Sequence, residues 1–333
     1  MIAAQIKGYL ERASWIRKMF EEGARLKARY GADRVCDFSL GNPDVPPPPE
    51  VSEALREIVS EDRPELHAYM PNAGFPFARE AMARKVSREQ GLEVSAEEVI
   101  LTCGAAGGLN IIFKALLNPG EEVVFPSPFF VEYGFYVENH HGVPRPVPTR
   151  EDFSLDLEAL SAAIGPRTRA VLINSPHNPT GRLYPEEDIA RLGELLREKS
   201  RTMGRPVYLI SDEPYRNLVF DGRRTPSVFL HYEASFVVSS FSKELSLPGE
   251  RIGFVAVHPE MPGKEEVLSA LILANRILGF VNAPALAQRI AARCAESLVD
   301  VSVYERRRDL LCEILSEAGL EYVRPEGAFY VFP

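Results

Sequence analysis

The most pointed chemistry in the chain lies in Ser239-Ser240-Phe241-Ser242-Lys243-Glu244-Leu245-Ser246-Leu247-Pro248-Gly249-Glu250-Arg251-Ile252-Gly253-Phe254. Hydroxyls at Ser240 and Ser242 and the fixed cation of Arg251 can hold a phosphate and leave the amine of Lys243 to do chemistry. An amine beside a phosphate site is what pyridoxal phosphate requires, because its aldehyde joins a lysine as a Schiff base. Lysine ordinarily titrates near ~10.4, so burial and nearby positive charge must lower it before it can react at neutral pH. The bland alternative is a solvated lysine in a turn, and Ser-x-Ser-Lys by itself does not exclude it.

The elements around this stretch place it. Ser235-Phe236-Val237-Val238 reads as a buried strand, so the polar residues fall at a strand end, where open α/β sheets bind ligands. Similar runs occur at 99–102, 122–125, 170–173 and 207–210, most of them separated by helical stretches. That order predicts an α/β fold with a mostly parallel central sheet flanked by helices, and a smaller α+β domain. The Gly104-Ala105-Ala106-Gly107-Gly108 turn leads into a helix with Leu109, Ile112, Phe113 and Leu116 on one face. Unpaired N–H groups and the helix dipole suit a phosphate there, although a turn built for tight packing has the same composition. After the 122–125 strand, Phe129 or Phe130 can lie flat on an aromatic ring or simply join the core. After the 170–173 strand comes Asn174-Ser175-Pro176-His177-Asn178-Pro179-Thr180-Gly181, also a good turn in its own right.

Asp212 and Glu213 end the 207–210 strand, and neighbours on extended backbone face opposite ways, so one carboxylate at most can point into a site. Such a carboxylate can pair with a pyridine nitrogen, or merely cap a helix. Residues 1–35 read as helical, with Ile16, Met19 and Phe20 at helical spacing. Helices are expected at 186–199, 264–279, 284–298 and on to 317, and a strand at 327–332.

Composition narrows the function classes. At 333 residues, 45% hydrophobic and 26% charged, the chain has room for one large domain and a smaller one. A net charge of -9 without a basic stripe argues against nucleic acid. No apolar run approaches a membrane span, and charged residues interrupt the N-terminus, so neither a membrane nor a signal peptide is expected and the chain reads as cytoplasmic. Cys36, Cys103, Cys294 and Cys312 lack metal-ligand spacing and read as buried thiols in a reducing compartment; no metal is expected.

Ser240-Phe241-Ser242-Lys243 with Arg251 and Gly253-Phe254 resembles the signature of class I/II aminotransferases, the pyridoxal-phosphate enzymes similar to aspartate aminotransferase. The match runs from about Ser39 to the last residue. The resemblance implies an aminotransferase that moves an amino group between an L-amino acid and a 2-oxo acid through a Lys243 Schiff base, the released lysine carrying the proton. It further implies backbone donors to the phosphate at Ala105 and Ala106, and many relatives have a polar side chain where Ala106 stands. Phe130 would stack on the cofactor ring and Asp212 would pair with its nitrogen. Asn178 and Tyr215 would meet its phenolic oxygen, with Asn174 also in contact. Tyr69, in Tyr69-Met70-Pro71-Asn72-Ala73-Gly74, would cross a homodimer interface to the neighbour's phosphate, and Gly41 and Asn178 would approach the substrate. The expected organisation is an arm and part of a small domain at 1–45, the cofactor domain at 46–280, and the small domain at 281–333. Relatives continue past the position of Pro333 with a carboxylate-binding arginine, so either a tail is missing here or substrate binding departs from the family. A carbon-sulfur β-lyase on the same scaffold, and a catalytically silent cofactor-binding module, are the competing readings.

Overall fold

The computed structural model describes the chain apart from Met1, Ala13, Ser39, Leu40 and Asp62 and the side chains of Ser14, Trp15, Ile16, Arg17 and Phe20. Two compact units emerge, residues 1–42 and 43–333. In the first, α1 (Ala4–Arg12) and α2 (Ser14–Tyr30) are helical as the spacing predicts, while the side chains of Ile16 and Phe20, and Ser39, lie outside the described residues. Cys36 corrects the expectation of buried thiols. It is exposed on irregular backbone after a 3-10 turn, and Cys103 is half-buried, whereas Cys294 and Cys312 are buried. Apolar neighbours in sequence bury a thiol only if they fold over it, and Phe38, two residues on, is 85% exposed.

In the second unit, among the described residues, one seven-stranded sheet runs in the order β1 (Val99–Thr102), β7 (Gly253–Val257), β6 (Ser235–Ser240), β5 (Tyr208–Asp212), β4 (Thr168–Asn174), β2 (Glu122–Ser127), β3 (Val143–Pro148). β7 is antiparallel to both β1 and β6, and the remaining pairs are parallel. Two reversals cancel, so β1 points the same way as β6, and the C-terminal ends of β1, β2, β4, β5 and β6 share one edge. β1, β5, β6 and β7 are buried at every position, the pattern of a sheet covered on both faces.

The covering helices are α3 (Pro49–Ser60), α4 (Pro76–Gln90), α5 (Gly104–Leu116), α6 (Glu132–Asn139), α7 (Leu157–Ala163), α8 (Glu186–Met203), the single turn α9 (Phe241–Glu244), α10 (Lys264–Ile277), α11 (Ala285–Arg293) and α12 (Val301–Glu317). α5 buries Leu109, Ile112, Phe113 and Leu116 as its spacing predicts, and Ile111 besides. Pro49, the last of four prolines, opens α3, where a missing N–H costs nothing. No described helix is long and apolar enough to cross a membrane.

The strand expected at 327–332 does not form. Gly327 makes one isolated antiparallel bridge to Val219, and Ala328 then turns into the left-handed region (φ 58°), which ends extended backbone. The segment packs instead in a second apolar cluster, where Phe329 and Tyr330 meet Tyr215, Leu218 and Tyr304.

Candidate active site

The strands deliver their polar ends to one edge: Thr102, Asn174, Asp212 and Ser240 are each the last residue of a strand, and all four are buried. Buried polar groups at the open end of a sheet need partners or a ligand.

Lys243 stands on α9, directly after β6. Its Nζ lies 5.2 Å from the ring centroid of Phe329 and 5.8 Å from that of Tyr215. Aromatic faces favour an ammonium by about 0.5–1 kcal/mol. Burial, with the Arg251 cation adding to it, outweighs them and brings the amine from 10.5 down to about 8. Arg251 adopts φ 50°, and its guanidinium Nη2 comes within 3.0 Å of where a Cβ on Gly104 would stand. Gly104, at φ 70°, opens α5. Gly253 leaves the complementary gap: a Cβ there would stand 2.5 Å from the Ser239 carbonyl oxygen and 2.9 Å from the Ala105 nitrogen. The two glycines bring Arg251, the first N–H groups of α5 and the Ser240–Ser242 turn to one place, and those N–H groups have no partner within the helix. A helix start so arranged suits an anion.

Asp212 is 5% exposed, and its Oδ2 accepts the Tyr133 hydroxyl at 2.6 Å. Its Oδ1 is buried without a hydrogen-bond partner. Burial drives its pKa from 3.8 up to about 7; the Tyr133 bond opposes the rise and the neighbouring Glu213 charge adds to it. Glu213 faces elsewhere, taking Arg216 Nη1 at 2.7 Å and the Ser211 hydroxyl at 2.7 Å. The alternation expected of adjacent carboxylates is therefore met. Asn174 Nδ2 donates to the Asp212 carbonyl at 2.8 Å, and its Oδ1 accepts the Asn178 N–H at 2.7 Å, which ties the Asn178 turn to the end of β5.

The hydroxyls of Tyr215 and Tyr330 are 2.7 Å apart, and burial holds Tyr215 well above the usual phenol range. His177 is buried against the Thr180 hydroxyl, and burial lowers it to about 4, so it is a neutral turn residue. Of the two phenylalanines, Phe129 sets its edge on core Phe125 at 4.7 Å, while Phe130 meets Tyr133 at 5.5 Å. Tyr69 is 94% exposed. Gly41 lies in the 1–42 unit. Tyr133 and Tyr330 escaped the sequence reading. Tyr133 follows Phe130 by three residues, a helical spacing that could have flagged it; Tyr330 was masked by the expected strand.

The family model for aminotransferases of class I and II matches residues 33–333. The chain belongs to the class I and II aminotransferases. It moves an amino group between an amino acid and a 2-oxo acid. Within the family it is 37% identical to an aspartate/prephenate aminotransferase of Thermus thermophilus, over 91% of this chain and 77% of that protein. A crystal structure of an aminotransferase from Eubacterium rectale superposes with a TM-score of 0.94 at 39% identity, covering 99% of this chain and 84% of that one. The Thermus thermophilus aspartate aminotransferase with maleate gives 0.83 at 34% identity, over 95% and 81%. Aminotransferases of this family work with pyridoxal phosphate.

Proposed function

We propose that this aminotransferase holds pyridoxal phosphate at the shared strand edge, with Lys243 as the bonding amine and aspartate as a donor. The observation that carries the reading is that Lys243, an amine brought down to about 8, and the buried Asp212, whose Oδ1 lacks a partner, stand at the same ends of the adjacent parallel strands β6 and β5. Residues 46–280 are then the cofactor domain and those after 280 belong to a smaller one. The residues fit the group: the start of α5 at Ala105 and Ala106, Arg251, Ser240 and Ser242 suit its phosphate, Asp212 its ring nitrogen, Phe130 the ring face, and Asn174, Asn178 and Tyr215 its phenolic side.

The bound cofactor supplies an aldehyde and an electron-withdrawing ring. The protein's own part is to orient and to move protons. Asp212 keeps negative charge against a nitrogen, and Tyr133 fixes the carboxylate that does so. Lys243, half of it neutral at pH 8, can accept a proton from a substrate carbon and return it to the carbon two atoms along. The aromatic walls of Tyr215, Phe329 and Tyr330 keep water from that transfer.

Aspartate is favoured by the names of the relatives. The purified protein given pyridoxal phosphate should develop a visible band that aspartate bleaches and a 2-oxo acid restores. An aromatic amino acid bleaching it while aspartate does not would remove the donor assignment; a band indifferent to every amino acid would mean a catalytically silent cofactor-binding module, and no band at all would remove the cofactor assignment.

We also infer that exposed Tyr69 reaches the phosphate of a second copy. Sedimentation should show a dimer, and Tyr69→Phe should weaken cofactor binding about 10–150-fold, the loss of one charge-assisted hydrogen bond of about 1.5–3 kcal/mol. A fully active monomer would discard the idea.

A further inference from the structure

Each of the two proposed chemical residues is followed by a buried glutamate: Glu213 after Asp212 and Glu244 after Lys243. Buried carboxylates are costly unless paired, and both are paired through the last two turns of α4. Lys85 Nζ lies 3.2 Å from Glu244 and 2.9 Å from Glu89. Asn217 Nδ2 donates to Glu244 at 2.7 Å and to Glu89 at 2.9 Å. Arg216 Nε is 3.9 Å from Glu89, and its Nη1 is 2.7 Å from Glu213, which also accepts Gln90 Nε2 at 3.1 Å. One continuous chain of charge, buried except at the partly exposed Glu89, thus runs from Glu244 through Lys85, Glu89 and Arg216 to Glu213.

We propose that Lys85 is a positioning residue for Lys243, and that the chain of which it is part fixes Lys243 and Asp212 relative to each other. The inference rests on the reading that those two residues carry the chemistry. α9 is four residues long, too short to hold itself as a helix, so its place depends on what its side chains grip. Phe241 is fully buried at one end, and Glu244 is gripped by Lys85 and Asn217 at the other, with Lys243 between them. At the far end of the chain Glu213 holds the backbone just past β5, and its carbonyl accepts the Ser239 hydroxyl at 3.0 Å, tying β5 to β6 below both residues. Removing Lys85 leaves Glu89 and Glu244 facing each other across one amide. Glu244, without its cation and facing Glu89, is then repelled, and the turn moves with it and relocates Lys243.

The test uses Lys85→Met in the enzyme loaded with pyridoxal phosphate. The groups bearing on the readout are Lys85, Glu89 and Asn217 around Glu244, and Arg251 and Tyr215 around Lys243. The variant should lose at least about tenfold in kcat, as outer residues that orient a reacting group do. The pH midpoint of the visible band should move by about half a unit or more, the displacement expected when the titrating Schiff-base nitrogen at Lys243 changes its surroundings. Adding Glu244→Gln removes the uncompensated charge and should recover most of both. Wild-type kcat and midpoint, with only a lower Tm, would show a merely structural ion pair and overturn the proposal. If Lys85→Met does not fold, Asn217→Ala, which loosens the same grip on Glu244, takes its place under the same criteria. A failure here leaves Lys243 inactivation by alanine intact, whereas a fault in the underlying reading would show in that variant first.

Discussion

Lys243→Ala should abolish amino transfer, with kcat lower by about 10²–10⁴-fold, the contribution of a positioned proton-transfer group, and with further loss from the missing covalent anchor. The amine does both jobs because of where β6 ends. Half-buried and within the field of Arg251, it is brought to about 8 and is substantially neutral in mildly alkaline solution, whereas an exposed lysine is not. Alanine leaves the walls of Phe329 and Tyr215 in place, so the fold and the anion-holding start of α5 should persist. Spectra of the variant with pyridoxal phosphate should show the free aldehyde, and a small soluble amine should restore part of the turnover. A variant retaining more than about a tenth of wild-type activity, far above the 10²-fold floor, would place the proton-moving amine elsewhere.

The sequence revealed the sheet because its strands are buried on both faces and so appear as uninterrupted apolar runs. The same runs located Asn174, Asp212 and Ser240 at their ends, and the parallel order then put those residues on one edge. Two strands were harder to see. β3 (Val143–Pro148) has proline at every second position and only Val147 buried, at the sheet margin, and β7 runs against its neighbours, which periodicity cannot express. Contacts between distant segments were not legible at all. Tyr133 reaches Asp212 across 79 residues and Lys85 reaches Glu244 across 159, and nothing in a local window signals either. The last segment misled for a related reason. Gly327 to Phe332 has strand-like composition, but a strand needs a partner along its length, and here the backbone turns at Ala328 after a single bridge.

Asp212→Asn should trade catalysis for stability in the cofactor-free protein. In the folded state burial raises the carboxyl from 3.8 to about 7, so the unfolded chain ionises first as pH rises. Below about 3.8 the group is neutral in both states and costs nothing. Between about 4 and 7 folding stability falls, and above about 7 the loss is constant, on the order of 4 kcal/mol. Asparagine has no charge to desolvate and can still accept the Tyr133 hydroxyl, so urea unfolding of the cofactor-free variant should lack this fall, and its advantage over wild type should widen from pH 5 to pH 8. In the loaded enzyme the sign reverses, because a cation on the ring nitrogen then finds no anion opposite. Losing a hydrogen bond between charged groups, about 1.5–3 kcal/mol, should lower kcat by about 10–150-fold. The two effects have one cause: a carboxylate kept in a dry place without a cation is a cost until the cation arrives. An asparagine variant that is no more stable than wild type at pH 8, or one that keeps full activity, would mean that Asp212 is not held ready for a cation.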